Sequence, residues 1–271
     1  MSSAANRQPV VYLPHGGGPW PWMGAEPFGA ANGFGALRGY LEGLPGHSKE
    51  KPRAILMVSA HWEEHLPTVM TSPRPPLYFD YSGFPDDTYQ ISWPAPGEPA
   101  LAGRVRSLLG AAGFASAEDP NRGFDHGAFV PLAVAWPGAE LPVVQLSLVK
   151  GLDPAHHVAL GAALAPLRDE GVFLVASGMS YHNLRGFRSA QGARDAEAFD
   201  AWLADTVAQP APTRDARLVR WATAPAARAC HPREEHLIPL MVAAGAAGAD
   251  AGTVPFSERV LGMRVSAVHF G

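Results

Sequence analysis

Residues 54–62 have the sequence Ala-Ile-Leu-Met-Val-Ser-Ala-His-Trp. Seven small or apolar residues in succession are typical of a strand that is buried on both faces, as in a parallel sheet. The run ends at His61, where the chain is expected to leave the sheet. Open α/β sheets bind their ligands at the carboxyl ends of strands, so His61 is a candidate functional residue.

Two further apolar runs also lead to a histidine. One begins at Val10 and reaches His15, and the other begins at Val172 and reaches His182. Such strands alternate with helical patterns along the chain, which predicts an α/β fold: a single domain with a mostly parallel central sheet flanked by helices. Parallel strands have their carboxyl ends at one edge of a sheet, so we expect the active site at that edge.

The composition excludes several classes of protein. The 271 residues are 47% apolar and carry a net charge of −4, which argues against nucleic-acid binding. No run approaches the ~18 apolar residues of a membrane span. Cys230 is the one cysteine, so neither an intramolecular disulfide nor a Cys-based zinc site can form. We expect a cytoplasmic globular protein with a short flexible N-terminus, residues 1–8, and one catalytic α/β domain, residues 9–271.

Two more histidines have a special context. Asp125 is a candidate N-cap, which would place His126 in the first turn of a helix. A second helix is predicted to begin at Pro232, so that His236 points inward with the apolar face. Glu235 would then lie ~100° round the helix from it.

The remaining histidines are expected to be surface or structural groups. They are His47, His65, His156, His157, His231 and His269. Imidazole and carboxylate ligands without thiolate suit Zn, Fe(II), Mn or Ni. The chain has no His-Glu-x-x-His motif and no Gly-x-Ser-x-Gly motif, which disfavours thermolysin-like and serine hydrolases. The histidines therefore predict a metal site, with the metal and the reaction left open.

Five motifs together resemble one enzyme family. They are Pro14-His-Gly-Gly-Gly-Pro19, Ser59-Ala-His-Trp62, Gly123-Phe-Asp-His-Gly127, Ala176-Ser-Gly followed by His182-Asn-Leu184, and Glu235-His followed by Pro239-Leu240. In this order they resemble the class III extradiol ring-cleaving dioxygenases. The resemblance is to the DOPA 4,5-dioxygenase branch, which is related to the catalytic subunit of protocatechuate 4,5-dioxygenase, and it implies a single α/β domain.

The resemblance implies a role for each of the five histidines. A non-haem Fe(II) ion would be held by His15, His61 and His236, with Glu235 as the reserve ligand, and Zn(II) could occupy the site in isolated protein. His182 would be the catalytic acid and base, and His126 would contact the substrate or dioxygen. The implied reaction opens the ring of a catechol, either DOPA-like or carboxylated, with O2 to a muconic semialdehyde.

The first loop departs from the family pattern and bears on the substrate. His15 is followed by Gly-Gly-Gly-Pro-Trp, where many relatives have Gly-Ser-Pro. We expect four side chains to bind the substrate: Trp20, Trp22, Tyr181 and Arg185. Arg188 and Arg233 are further candidates for anchoring a substrate carboxylate.

Two other functions are kept as alternatives. A zinc-dependent hydrolase or lyase could use the same histidines, and a superfamily member without catalytic activity could act as a binding protein. The Pro- and aromatic-rich loop, residues 71–99, is expected either to cover the site as a lid or to form a contact in a homodimer.

Overall fold

One twisted sheet organises the protein, which is described here from a computed structural model for residues 7–24, 28 and 33–271. Within these residues the sheet has eight strands in the order β4-β3-β5-β2-β6-β1-β8-β7. The strands are β1 (Val10–Pro14), β2 (Ala54–Glu64), β3 (Thr68–Met70), β4 (Ala117–Asp119), β5 (Val143–Val149), β6 (Val172–Gly178), β7 (Gly252–Val260) and β8 (Met263–Phe270).

The centre of the sheet is parallel. Strand β2 pairs in parallel with both β5 and β6, and β6 pairs in parallel with β1. Their carboxyl ends therefore lie at one edge. The predicted α/β fold with a mostly parallel sheet is confirmed, and every residue of β1 and β6 is buried, as strands covered on both faces require.

Helices cover both faces of this sheet. They are α1 (Phe34–Gly43), α2 (Pro99–Ala111), α3 (His126–Ala135), α4 (Pro154–Leu164), α5 (Pro166–Asp169), α6 (Ala190–Val207), α7 (Ala211–Val219), α8 (Ala227–Cys230) and α9 (Ile238–Ala247). One continuous hydrophobic core extends from Val10 to Phe270. No helix among the described ranges is both long and apolar enough to cross a membrane.

Helix α9 is the central helix and positions the segment just before it. All of its residues are buried, and it packs on α4 so closely that a Cβ on Gly245 would lie 2.0 Å from the Val158 carbonyl oxygen. Two fully buried guanidinium groups bind its last carbonyl groups. Arg168 donates to Ala247 O at 3.0 Å and Arg214 to Ala244 O at 2.7 Å. These bonds satisfy carbonyls that have no partner within the helix.

One helix boundary differs from the sequence prediction, and proline explains the difference. The helix predicted from Pro232 begins only at Ile238, because the ring of Pro239 inside a longer helix would clash with the carbonyl of Glu235. His236 therefore lies in the turn before the helix. Pro166 likewise begins α5 and separates it from α4.

One edge of the sheet is antiparallel. Strand β7 forms a hairpin with β8. Its polar residues and Pro255 are tolerated because it is an edge strand. Of the N-terminus expected to be flexible, residues 1–6 lie outside the described residues, and Gln8 is buried and donates its backbone N–H to Arg168 O at 3.0 Å.

Candidate active site

His15 and His61 face each other at the carboxyl edge of the sheet. His15 follows β1, and His61 lies in β2 beyond Ser59, the last residue that pairs with β6. Their Nε2 atoms are 3.3 Å apart. Two ligand atoms of a tetrahedral metal ion, each ~2.0–2.1 Å from it, stand ~3.3–3.4 Å apart, so this pair has the spacing of two ligands of one ion.

Both of these imidazoles are neutral at pH 7. Burial, followed by the neighbouring imidazole of His61, holds the pKa of His15 well below its usual value. Burial, followed by the nearby His126, lowers the pKa of His61 to about 4. A neutral imidazole has a free nitrogen lone pair, and metal ions bind that form.

His236 completes a group of three rings. Its ring centroid is 5.2 Å from that of His15 and 4.9 Å from that of His61. Its Nε2 is buried and has no hydrogen-bond partner among the described residues. An unpaired polar atom in such a place costs free energy unless a bound ligand or metal ion satisfies it. The three imidazoles therefore fit a divalent first-row metal ion that prefers nitrogen and oxygen ligands.

Glu235 links two of the histidines. Its Oε1 accepts hydrogen bonds from His236 Nδ1 at 2.9 Å and from His182 Nδ1 at 3.1 Å. A carboxylate can only accept, so both Nδ1 atoms carry a proton, and in this tautomer of each ring the Nε2 atom is the acceptor. Burial raises the pKa of Glu235, but the hydrogen bonds from these two histidines outweigh it and hold that pKa well below the ordinary value.

His182 lies directly against His236. The two rings stack with their centroids 3.3 Å apart and their planes inclined by 19°. The chain leaves β6 at Gly178, and the backbone N–H of His182 donates to Cys230 O at 3.0 Å. His182 is one fifth exposed, so a ligand can reach it.

Asp80 is a site residue that the sequence analysis missed. Its Oδ1 accepts from the backbone N–H of His126 at 2.9 Å and from His126 Nδ1 at 2.8 Å. Its Oδ2 is 3.4 Å from His61 Nδ1. The long loop, residues 71–99, thus supplies a carboxylate to two histidines. The signal in the sequence was an acid among aromatic residues in an otherwise apolar segment.

Asp125 anchors the two elements that carry His61 and His126. It is the N-cap of α3, as predicted, and its Oδ1 accepts from Ala128 N at 3.1 Å. The same fully buried carboxylate accepts from Ser59 Oγ at 2.6 Å and from an arginine, Arg122, at 2.8 Å. Four donors including Gln145 satisfy this buried charge, which lets it persist without solvent.

Metal-ligating atoms gather in two adjoining groups. One consists of His15, His61 and His126, and the other of His182, Glu235 and His236. Within each group the ligand atoms lie within 4.8 Å of one another. The predicted triad takes two members from the first group and His236 from the second.

A cavity of about 650 Å³ opens above these histidines. Its floor is His15, His61, His126, His182 and His236. Its wall is formed by Gly16, Gly17, Gly18, Phe28, Phe34, Phe84, Met179, Leu184, Phe187, Arg188, Val260 and Leu261.

The four side chains expected to bind the substrate are not among the described lining residues. Trp20 is buried and donates its Nε1–H to His15 O at 2.9 Å. A Cβ on Gly16, whose φ is +82°, would lie 2.5 Å from that Nε1, so the indole supports the loop from beneath. Trp22 packs near Phe129. Tyr181 is buried behind the wall and Arg185 is exposed outside it.

Comparison with known proteins gives a consistent result. Residues 21–266 match the family described as the catalytic LigB subunit of aromatic ring-opening dioxygenase. The chain is 39% identical to a 4,5-DOPA dioxygenase extradiol of Beta vulgaris over 252 residues, which are 92% of this chain and 90% of that protein.

Two further relatives extend the likeness. The chain is 35% identical to the dioxygenase tasH of Hapsidospora irregularis over 97% of this chain and 85% of that protein. A crystal structure of the uncharacterized protein JW3007 from Escherichia coli K12 superimposes with a TM-score of 0.79 at 29% identity, covering 98% of this chain and all of that one.

Proposed function

Because the chain belongs to the class III extradiol dioxygenases, in the DOPA-dioxygenase-like branch, and is thus an extradiol ring-opening dioxygenase, we propose that it opens a catechol ring with O2 at a non-haem Fe(II) centre. The observation that carries this proposal is the convergence of five histidines on one cavity. One of them, His236, has a buried Nε2 with no partner in the described part of the chain.

In this proposal three side chains hold the ion, namely His15, His61 and His236. Glu235 orients His236 by accepting its Nδ1–H at 2.9 Å, a carboxylate–histidine pairing that is common around protein-bound metals. Bound Fe(II) supplies the Lewis acid and the one-electron chemistry that dioxygen needs to react with an aromatic ring.

In this proposal His182 transfers the proton of a catechol hydroxyl. With its Nδ1–H donated to Glu235, its Nε2 is free to accept the proton of a catechol hydroxyl and to return it when the oxygen–oxygen bond breaks. A single side chain thereby acts first as a base and later as an acid. Its ring stacks on that of His236, so it lies next to a residue that would hold the ion.

His126 receives the substrate from the other side. Asp80 accepts its Nδ1–H, and in that tautomer Nε2 is the acceptor for a substrate or oxygen-derived hydroxyl. The reaction balances without a further reductant, since a catechol plus O2 gives a hydroxymuconic semialdehyde that contains both oxygen atoms.

The single cysteine, Cys230, is buried, which suits the cytoplasm that we propose as the protein's compartment.

Oxygen uptake by reconstituted protein tests the proposal. Protein stripped of metal is reloaded with Fe(II) under anaerobic conditions and mixed with aerated 4-methylcatechol, and a parallel sample is reloaded with Zn(II). We expect oxygen uptake and a yellow product with Fe(II) alone. Product formation with Zn(II), or without oxygen, would favour the hydrolase or lyase. If neither oxygen uptake nor product is seen although the metal is verified as bound, a binding protein would be favoured.

A further inference from the structure

The cavity exceeds the needs of a catechol ring. A cavity of about 150 Å³ lined by apolar side chains is enough to hold benzene, whereas this one has about 650 Å³. Above the histidine floor, its described wall is apolar apart from one residue. Phe28, Phe84 and Phe187 supply aromatic surface, and Leu184 and Leu261 supply aliphatic surface at the mouth.

The backbone of this wall is strained. Among the described residues, six that are not glycine have positive φ angles, a conformation that costs free energy and persists where its surroundings enforce it. Three of the six line the cavity: Phe28 at 64°, Arg188 at 63° and Leu261 at 52°. Such strain concentrates at ligand sites, which indicates that the wall is shaped for a ligand.

Among the described residues of the wall, Arg188 is the one that carries a charge, if the histidines of the floor are set aside. One NH2 group donates to the Phe28 carbonyl oxygen, which fixes the side chain at the rim. No described carboxylate lies within ion-pair distance of it. A guanidinium group has five N–H donors, so donors remain for an anionic ligand group.

We propose, on the basis of the proposed ring-cleaving function, that the substrate is a catechol carrying an apolar chain that ends in a single carboxylate. The chain lies against Phe84, Leu184 and Leu261, and the carboxylate binds Arg188. An amino-acid side chain such as that of DOPA fits less well. Its ammonium group would need an acidic partner, and the described wall contains none.

Equilibrium binding to zinc-loaded protein tests the ligand class without requiring turnover. A series of 4-(carboxyalkyl)catechols of increasing chain length is titrated by calorimetry, with DOPA and the methyl esters for comparison. We expect the Kd to fall about fourfold for each methylene that becomes buried, the equivalent of about 0.8 kcal/mol. A Kd that does not change with chain length, or tighter binding of DOPA than of the longer acids, would overturn the proposal.

Arginine variants test the contact between Arg188 and the substrate carboxylate. Arg188→Gln is expected to raise the Kd of the acids about threefold to fivefold, as for an exposed ion pair, and to leave that of the esters unchanged, whereas Arg188→Lys retains most of the affinity. If the loss occurs in Arg185→Gln instead, or in neither variant, the assignment of Arg188 is wrong.

The apolar contact is tested by two exposed leucines. Leu184 is 72% exposed at the mouth, and Leu66 is 45% exposed and is not a lining residue. Leu184→Ser should weaken binding of the long-chain acids about threefold while Leu66→Ser does not. Equal effects of the two substitutions would show that the apolar chain of the substrate does not lie against Leu184.

The binding series and the oxygen measurement test the ligand class and ring cleavage separately. If the binding series behaves as expected but Fe(II)-loaded protein consumes no oxygen with any catechol, ring cleavage is wrong and the ligand class stands. If 4-methylcatechol is cleaved but chain length and charge have no effect, ring cleavage stands and the inference is wrong.

Discussion

Glu235 accepts a hydrogen bond from His236 Nδ1 at 2.9 Å, which leaves the His236 Nε2 buried and without a partner among the described residues. We propose that the carboxylate orients the ring and that the imidazole offers the ligand atom. Both residues are candidates for the third metal ligand, and the Oε2 atom of Glu235 is also buried without a hydrogen-bond partner in the described part of the chain.

Substitution of Glu235 tests this division. Glu235→Gln is expected to retain metal with an affinity lowered about 10- to 100-fold, the range for lost carboxylate–histidine pairs, whereas His236→Ala should empty the site. Metal content by elemental analysis and competition with a chelator measure both. An empty site in Glu235→Gln together with a full one in His236→Ala would make Glu235 the ligand.

His182 should affect turnover and not metal retention. Replacing it with alanine removes the proposed acid and base but none of the proposed ligands, so we expect kcat to fall about 10²- to 10⁴-fold at unchanged Fe(II) content. His61→Ala is the comparison and should lose the metal. Full turnover by His182→Ala would show that another group moves the proton.

Substitution of Asp80 should lower activity and metal affinity through the two histidines that it contacts. Asp80→Asn weakens the bond to His126 Nδ1 (2.8 Å) and the contact with His61 (3.4 Å). We expect kcat/KM to fall at least tenfold and the metal Kd to rise, because a group that orients a ligand ring has been weakened.

Asp87→Asn is the matched control for this prediction, since Asp87 is an exposed acid on the same loop. Steady-state kinetics and the metal Kd should distinguish the two variants. If both behave alike, Asp80 does not position the histidines.

His157 should make the protein less stable in acid. Burial lowers its pKa to about 4, against about 6.5 in an unfolded chain. As the pH falls from 6.5 to 4, the unfolded state binds the proton and the folded state does not, so the free energy of unfolding decreases by about 1.4 kcal/mol per pH unit from this group. Its stabilisation is fully present above pH 6.5.

Urea denaturation of metal-free protein between pH 6.5 and 4.5 measures this contribution. His157→Gln should reduce the slope of unfolding free energy against pH by about 1.4 kcal/mol per unit, and substitution of the exposed His65 should leave it unchanged. Equal slopes for wild type and His157→Gln would refute the burial argument.

Local patterns predicted the parts of the site that depend on strands and caps. The apolar runs before His15 and His61 and the Asp125 N-cap are signals carried by neighbouring residues, and the structure has them where expected. Because parallel strands end at one edge, their convergence followed without knowledge of the loops.

The remaining features depend on contacts between distant segments. Asp80 reaches His126 from 46 positions away along the chain, across an irregular loop whose path no periodicity encodes. Arg188 lines the cavity while Arg185, three residues earlier, does not, and Arg188 has a positive φ angle that no periodicity encodes. His236 lies in a turn, since Pro239 prevents an earlier helix start.

The most direct test of ring opening by dioxygen is the source of the oxygen in the product. Fe(II)-loaded protein is allowed to turn over 4-methylcatechol under oxygen-18 gas in ordinary water, and the product is trapped and analysed by mass spectrometry. Ring cleavage by dioxygen should place one labelled oxygen in the new carboxylate, with oxygen consumed in equal amount to the catechol. An unlabelled carboxylate formed without oxygen consumption would contradict it and assign the histidine site to hydrolytic chemistry.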